Sequence, residues 1–104
     1  MVRPTIFIQI AAYRDPDLPA TLETLLTMAK HPDRLHIGLC LQLDDTDPPH
    51  WDPSTLPNHQ QLSMVRFAAR ESQGACWARH QAQQFFANET FLLQIDSHMR
   101  AVRN

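Results

Sequence analysis

The stretch "FLLQIDSHMR", residues 91–100, runs apolar and then closes on Asp96-Ser97-His98. Side chains two apart at a strand end project to the same side, so this carboxylate and imidazole could reach one ion. A mixed oxygen and nitrogen pair suits Mn²⁺ better than Ca²⁺, and two protein ligands leave coordination room for substrate phosphates. Alone, the tripeptide is explained as well by an N-capping aspartate and a surface histidine. A second cluster is "ESQGACWARH". Here Gly74 opens a helix whose first-turn N–H groups could face an anion, with Arg79 in the following turn. Asp44 and Asp45 form a third cluster, offering acceptors to a base or ribose, or simply turning the chain. In "AAYRDP", Tyr13 could stack on a base while Arg14 meets phosphate. Partial burial of the ring and a surface ion pair for Arg14 fit the local sequence equally well.

These residues need a scaffold, and the apolar pattern supplies one. "TIFIQIAA", residues 5–12, is a compact β-branched run without strict alternation, which predicts a strand buried on both faces. Residues 17–31 predict a helix, with Leu18, Leu22, Leu25, Leu26 and Ala29 on one face. Asp17 fits its N-cap, Pro19 its first turn, Lys30 and His31 its negative pole, and Pro32 its stop. "LHIGLCLQL", residues 35–43, is a second strand. The following "DTDPPHWDPSTLPNHQ" holds four of the eight prolines and reads as a long loop. Residues 62–69 give a third strand and residues 75–87 a second helix, on Ala75, Ala78, Ala82, Phe85 and Phe86. Residues 90–95 give the fourth strand. The order β-α-β-loop-β-α-β predicts an α/β fold with a mostly parallel sheet of four strands. Every polar cluster follows a strand, so all four fall on one edge, where doubly wound sheets bind ligands.

Composition narrows the function classes. The 104-residue chain has 43% hydrophobic and 19% charged residues, a net charge of −2 and no basic run. That balance argues against a nucleic-acid partner, which needs clustered Lys and Arg. No stretch reaches the roughly 20 apolar residues of a membrane span, and a cytoplasmic location is the expectation. Cys40 and Cys76 stand far apart and are expected as two buried small hydrophobes. Most of the six histidines are expected to be solvated.

Taken together, "FIQIAAYRDPDLPATLETLLTMAKHPDRLHIGLC", "ESQGACWARHQAQQFF" and "FLLQIDSHMR" resemble the glycosyltransferase family of the cytoplasmic hydroxyproline N-acetylglucosaminyltransferases. The Pro-rich loop at 46–61 contributes least, whereas "YRDP", "GACWAR" and "QIDSHMR" in this order are specific. The resemblance implies a GT-A fold, a Rossmann-like nucleotide-sugar domain, with Asp96-Ser97-His98 in the place of its DxD motif. Asp96 and His98 would then hold a divalent metal, Mn²⁺ first, against the diphosphate of UDP-N-acetylglucosamine. Ala11, Tyr13 and Arg14, in the loop from Ala11 to Asp15, would line the uridine pocket. Asp44 would contact the nucleobase, and Gly74 and Arg79 would lie by the nucleotide-sugar. The acceptor would be a protein or glycan hydroxyl. Members of the resembling family continue past the metal motif, so residues 1–104 are expected to be a donor-binding N-terminal part. Two other readings stay open: a noncatalytic nucleotide- or metal-binding module or inactive remnant, and a small flavodoxin-like signalling domain. The latter would need about five strands.

Overall fold

The computed structural model describes residues 4–28, 34–53 and 61–97. Its elements are β1 (Ile6–Tyr13), α1 (Leu18–Met28), β2 (Leu35–Leu43), β3 (Leu62–Ala68), α2 (Ala75–Gln83) and β4 (Phe91–Asp96), with short 3₁₀ turns at Pro49–Trp51 and Ala69–Glu71. The four strands form one parallel sheet in the order β3-β2-β1-β4. The predicted α/β class and strand count therefore hold.

The pleat divides the strands between two helices. Ile8, Ile10 and Ala12 of β1 and Ile37, Leu39 and Leu41 of β2 meet Leu18, Leu22 and Leu26 of α1 in one buried cluster. Leu18, Leu22 and Leu26 recur every four residues, so one helical stripe reaches the sheet. Burying each such leucine contributes about 1.5–3 kcal/mol, which places most of the stability on this face. The opposite face carries Cys40 against Ala78 and Ala82 of α2. The chain steps from β1 to β2 in one direction and from β3 to β4 in the other. Crossovers of one hand must then put α1 and α2 on opposite faces, as found.

The approach of α2 to the sheet is set by small residues. A Cβ on Gly38 would lie 2.3 Å from the Phe7 ring and 2.6 Å from the Ala82 carbonyl oxygen. Gln9, 3% exposed, donates from Nε2 to the Arg79 carbonyl oxygen and so fastens mid-helix backbone to β1.

Two expectations need correction. The second helix ends at Gln83 and not at residue 87. Tighter bonds from Phe85 N–H to the Ala82 oxygen and from Phe86 N–H to the Gln83 oxygen close its last turn. Asn88, at φ 66°, then swings the chain toward β4. Cys76 is exposed, whereas Cys40 is buried and its thiol is pushed up to about 11 by burial. His36 is half-buried, its Nδ1 3.2 Å from Glu89 Oε2 and its Nε2 2.7 Å from Ser63 Oγ. The predicted ends of the first helix at Ala29, Lys30, His31 and Pro32 lie outside the described residues.

Gly38→Ala tests the close approach. Neither the Ala82 backbone nor the Phe7 ring, set edge-on against His36 and Phe86, has room to retreat. The expected loss is about 3 kcal/mol, read as a fall in the urea midpoint at unchanged slope.

Candidate functional site

The order β3-β2-β1-β4 reverses direction between β1 and β4, so the carboxyl ends of these two strands flank the crevice where open α/β sheets take ligands. A cavity of about 300 Å³ opens beside it, lined by Ala11, Tyr13, Gln42, Ser72, Gly74, Ala75 and Ala78. Its walls come from the ends of β1 and β2 and from the first turn of α2. Tyr13 is 55% exposed at the rim.

Gly74 shapes the cavity mouth. It stands as N-cap of α2 at φ 102°, a conformation glycine adopts without strain, and no side chain caps the helix. A Cβ there would meet nothing within 4 Å, so the glycine serves backbone conformation and not packing. Uncapped first-turn N–H groups present the positive end of the helix dipole at this mouth.

Gln42 forms the floor. Its side chain is 2% exposed, and Nε2 donates to the Ala12 carbonyl oxygen at 3.1 Å. Its Oε1 is buried with no hydrogen-bond partner among the described residues. A buried acceptor in that condition carries a desolvation cost of about 1–3 kcal/mol.

Asp96 adjoins the cavity through the sheet itself, because its register partner on β1 is Ala11, a cavity-lining residue. Its carboxylate is exposed, and one oxygen lies 4.0 Å from Arg79 Nη2, an ion-pair distance without a hydrogen bond. The neighbouring Ser97 is buried and donates from Oγ to Asp15 Oδ2, joining the loops after β4 and β1. Asp15 Oδ1 also accepts the Asp17 N–H at 2.9 Å, which turns the chain into α1. His98 lies outside the described residues. Among those residues no group of three or more His, Cys, Asp or Glu is arranged to hold a metal ion.

Arg14 and Asp44 are placed elsewhere. Arg14, at φ 47°, donates from Nε at 3.1 Å and from Nη2 at 2.9 Å to Asp47. Its side chain is engaged in that ion pair. Asp44 Oδ1 accepts from the Thr46 N–H at 3.1 Å and from the Thr46 hydroxyl at 3.0 Å, the geometry of a turn residue. With Asp45 it lines a different cavity, of about 290 Å³, between the ends of β2 and β3. The structure thus brings Ala11, Tyr13 and Gly74 to one cavity and sets Arg79 and Asp96 beside it, while Arg14 and Asp44 belong to the loop that braces its back.

Asp47 organises that brace. Besides Arg14 it accepts the Asp44 N–H at 2.8 Å through Oδ2, tying the end of β2 to the loop after β1. The Arg14 hydrogen bonds hold its carboxyl below the usual carboxylate range, and hydrogen bonds from Thr46 do the same for Asp44. Sequence reasoning passed over Asp47, Gln42 and Ser72. For Gln42 a signal existed, an amide interrupting the apolar run "LHIGLCLQL".

A four-stranded parallel sheet with a helix on each face and an open, polar strand edge has the architecture of a Rossmann-like half-domain. The chain matches the glycosyltransferase (GlcNAc) family model over residues 5–63 and 50–104 and belongs to that family. No curated protein and no solved structure matches it.

The brace gives a pH test. Because the folded Asp47 carboxyl titrates below its unfolded value, its stabilisation is full above about pH 4 and is lost as pH falls through the folded value. In urea titrations the lead of the natural chain over Asp47→Ala is therefore expected to be constant near neutrality and to shrink below pH 4.

Proposed function

We propose that this chain binds UDP-N-acetylglucosamine at the carboxyl ends of β1, β2 and β4 for transfer of the sugar to a protein or glycan hydroxyl. Membership of the family supports a sugar donor and an acceptor. The observation that carries the donor site is a single juxtaposition. The uncapped, glycine-led start of α2 and the exposed Asp96 flank one cavity whose walls are largely apolar. An apolar cleft suits a base, and helix N–H groups beside it suit phosphate oxygens.

Each residue has a role under this reading. Ala11 and Tyr13 face the base, with the exposed ring of Tyr13 free to stack on it. The N–H groups following Gly74 take phosphate oxygens. Arg79 brings a fixed positive charge to the diphosphate side, where charge grows as the sugar bond breaks. Arg14 acts indirectly, holding the loop that carries Tyr13. Asp44 shapes the turn behind the base and touches nucleotide only at its margin.

Asp96 fits one carboxylate donor of a divalent ion, since it is exposed at a strand end beside the cavity and carries hard oxygen. His98 would supply the second donor by its place in the sequence, and the mixed pair favours Mn²⁺. When bound, such an ion supplies positive charge against the leaving diphosphate. Asp96 in that role also orients the diphosphate toward α2.

Calorimetric titration of UDP-N-acetylglucosamine into the purified chain, with Mn²⁺ and then with chelator, tests the proposal. Binding is expected with Mn²⁺ and a fall of at least about tenfold with chelator. Asp96→Ala is expected to remove the metal-dependent part while leaving the circular dichroism spectrum unchanged. Equal affinity with and without metal in both proteins would refute the metal role. Absence of binding by a folded sample would refute the donor site.

A further inference from the structure

We infer that Gln42 reads the nucleobase, selecting a ring that presents an imide N–H, as uracil does at N3. The inference rests on the donor-site reading above and deepens it. Gln42 is 2% exposed and lines the cavity with Ala11, Tyr13, Ala75 and Ala78. The two ends of its amide are not interchangeable. Nε2 donates to the Ala12 carbonyl oxygen at 3.1 Å, and a flipped amide would set two carbonyl oxygens against each other. Oε1 is thereby the end left over, and it is the buried atom without a partner.

A fixed, dry acceptor is a selective device. Buried acceptors in folded proteins are almost always paired, so this oxygen marks a place where a donor is missing. The apolar side chains of Ala11, Ala75 and Ala78 admit a flat ring and carry no donor of their own. A base entering with an N–H edge foremost satisfies Oε1. A base whose facing nitrogen carries no hydrogen, or carries a methyl group, leaves it unpaired while still excluding water. Discrimination of this kind against an analogue lacking the hydrogen is steep, because the site's own buried group is then stranded. Gln42 is a specificity residue here and takes no part in bond breaking.

Calorimetry with UDP and N3-methyl-UDP on the natural chain, repeated on Gln42→Met, tests the inference. Methionine keeps the length and shape of the side chain and removes the acceptor. The natural chain is expected to bind UDP at least about tenfold more tightly than N3-methyl-UDP. In Gln42→Met the affinity for UDP is expected to fall and the gap between the two nucleotides to close. If UDP binds and N3-methyl-UDP binds equally well, the inference is overturned and the donor site stands. A gap that persists in Gln42→Met also overturns it, since another group then reads N3. If the natural chain binds no UDP, the donor-site reading falls and takes the inference with it. Should Gln42→Met not fold, the same pair of titrations on Gln42→Leu decides: a closed gap supports the inference and a persisting gap overturns it.

Discussion

The contact between α2 and the centre of the sheet is the constraint on which the remaining geometry depends. Gly38 leaves the Ala82 carbonyl oxygen where a side-chain carbon would otherwise stand, and Ala78 and Ala82 keep the helix face equally thin. Gln9 then fixes the axial position of the helix by a hydrogen bond to the Arg79 carbonyl oxygen. A rigid helix has few degrees of freedom left once its distance and axial position are set. The position of Gly74 at the cavity mouth and of the Arg79 head near Asp96 follows from that docking, although Gly74 makes no part of the contact and Arg79 gives it only a backbone oxygen. Small residues on a packed face thus determine where charged ones stand.

Electrostatics divides the strand-end edge into two parts. Behind the cavity, Arg14 is ion-paired with Asp47 and Asp44 adds a second carboxylate, so that loop is net negative and its cation is engaged. At the front, Arg79 and the open end of α2 are the positive features, and Asp96 is the negative one beside them. A diphosphate placed there meets attraction from two sides and repulsion from the third. Under the proposed function a divalent ion on Asp96 would reverse the third term. The reversal would couple donor binding to metal occupancy, with no movement of the scaffold required.

Much of the fold was legible because apolar periodicity and chain breakers reported it directly. The runs at 5–12 and 35–43 became β1 and β2 within a residue or so, since strands buried on both faces must be apolar throughout. Leu18, Leu22 and Leu26 declared the buried stripe of α1 by spacing alone. The end of α2 was not legible, because Phe85 and Phe86 continue the helical apolar pattern while the left-handed Asn88 and the tightened turn before it divert the chain. The site was legible by location and less so by partner. Strand order placed Ala11, Tyr13, Gly74, Arg79 and Asp96 near one another. Nothing in the sequence says that Arg14 will meet Asp47, because that pairing spans 33 residues and depends on how β1 and β2 register.

Gln9 and Gln42 show why a residue type alone does not announce a role. Both interrupt apolar strands on the face toward α2, and both are buried to nearly the same extent. Gln9 donates to helix backbone and also approaches Gln83 Oε1 at 3.5 Å, so its amide knits two elements of the fold together. Gln42 satisfies only its donor end within the fold; its acceptor end is buried and unpaired, in a residue that lines a cavity. Folding alone would be served as well by an aliphatic side chain at position 42, which would leave no buried acceptor unpaired. A glutamine that weakens the fold at one buried atom, in a residue lining a cavity at the sheet's ligand edge, is under the inference above better accounted for by what enters the cavity than by what surrounds it.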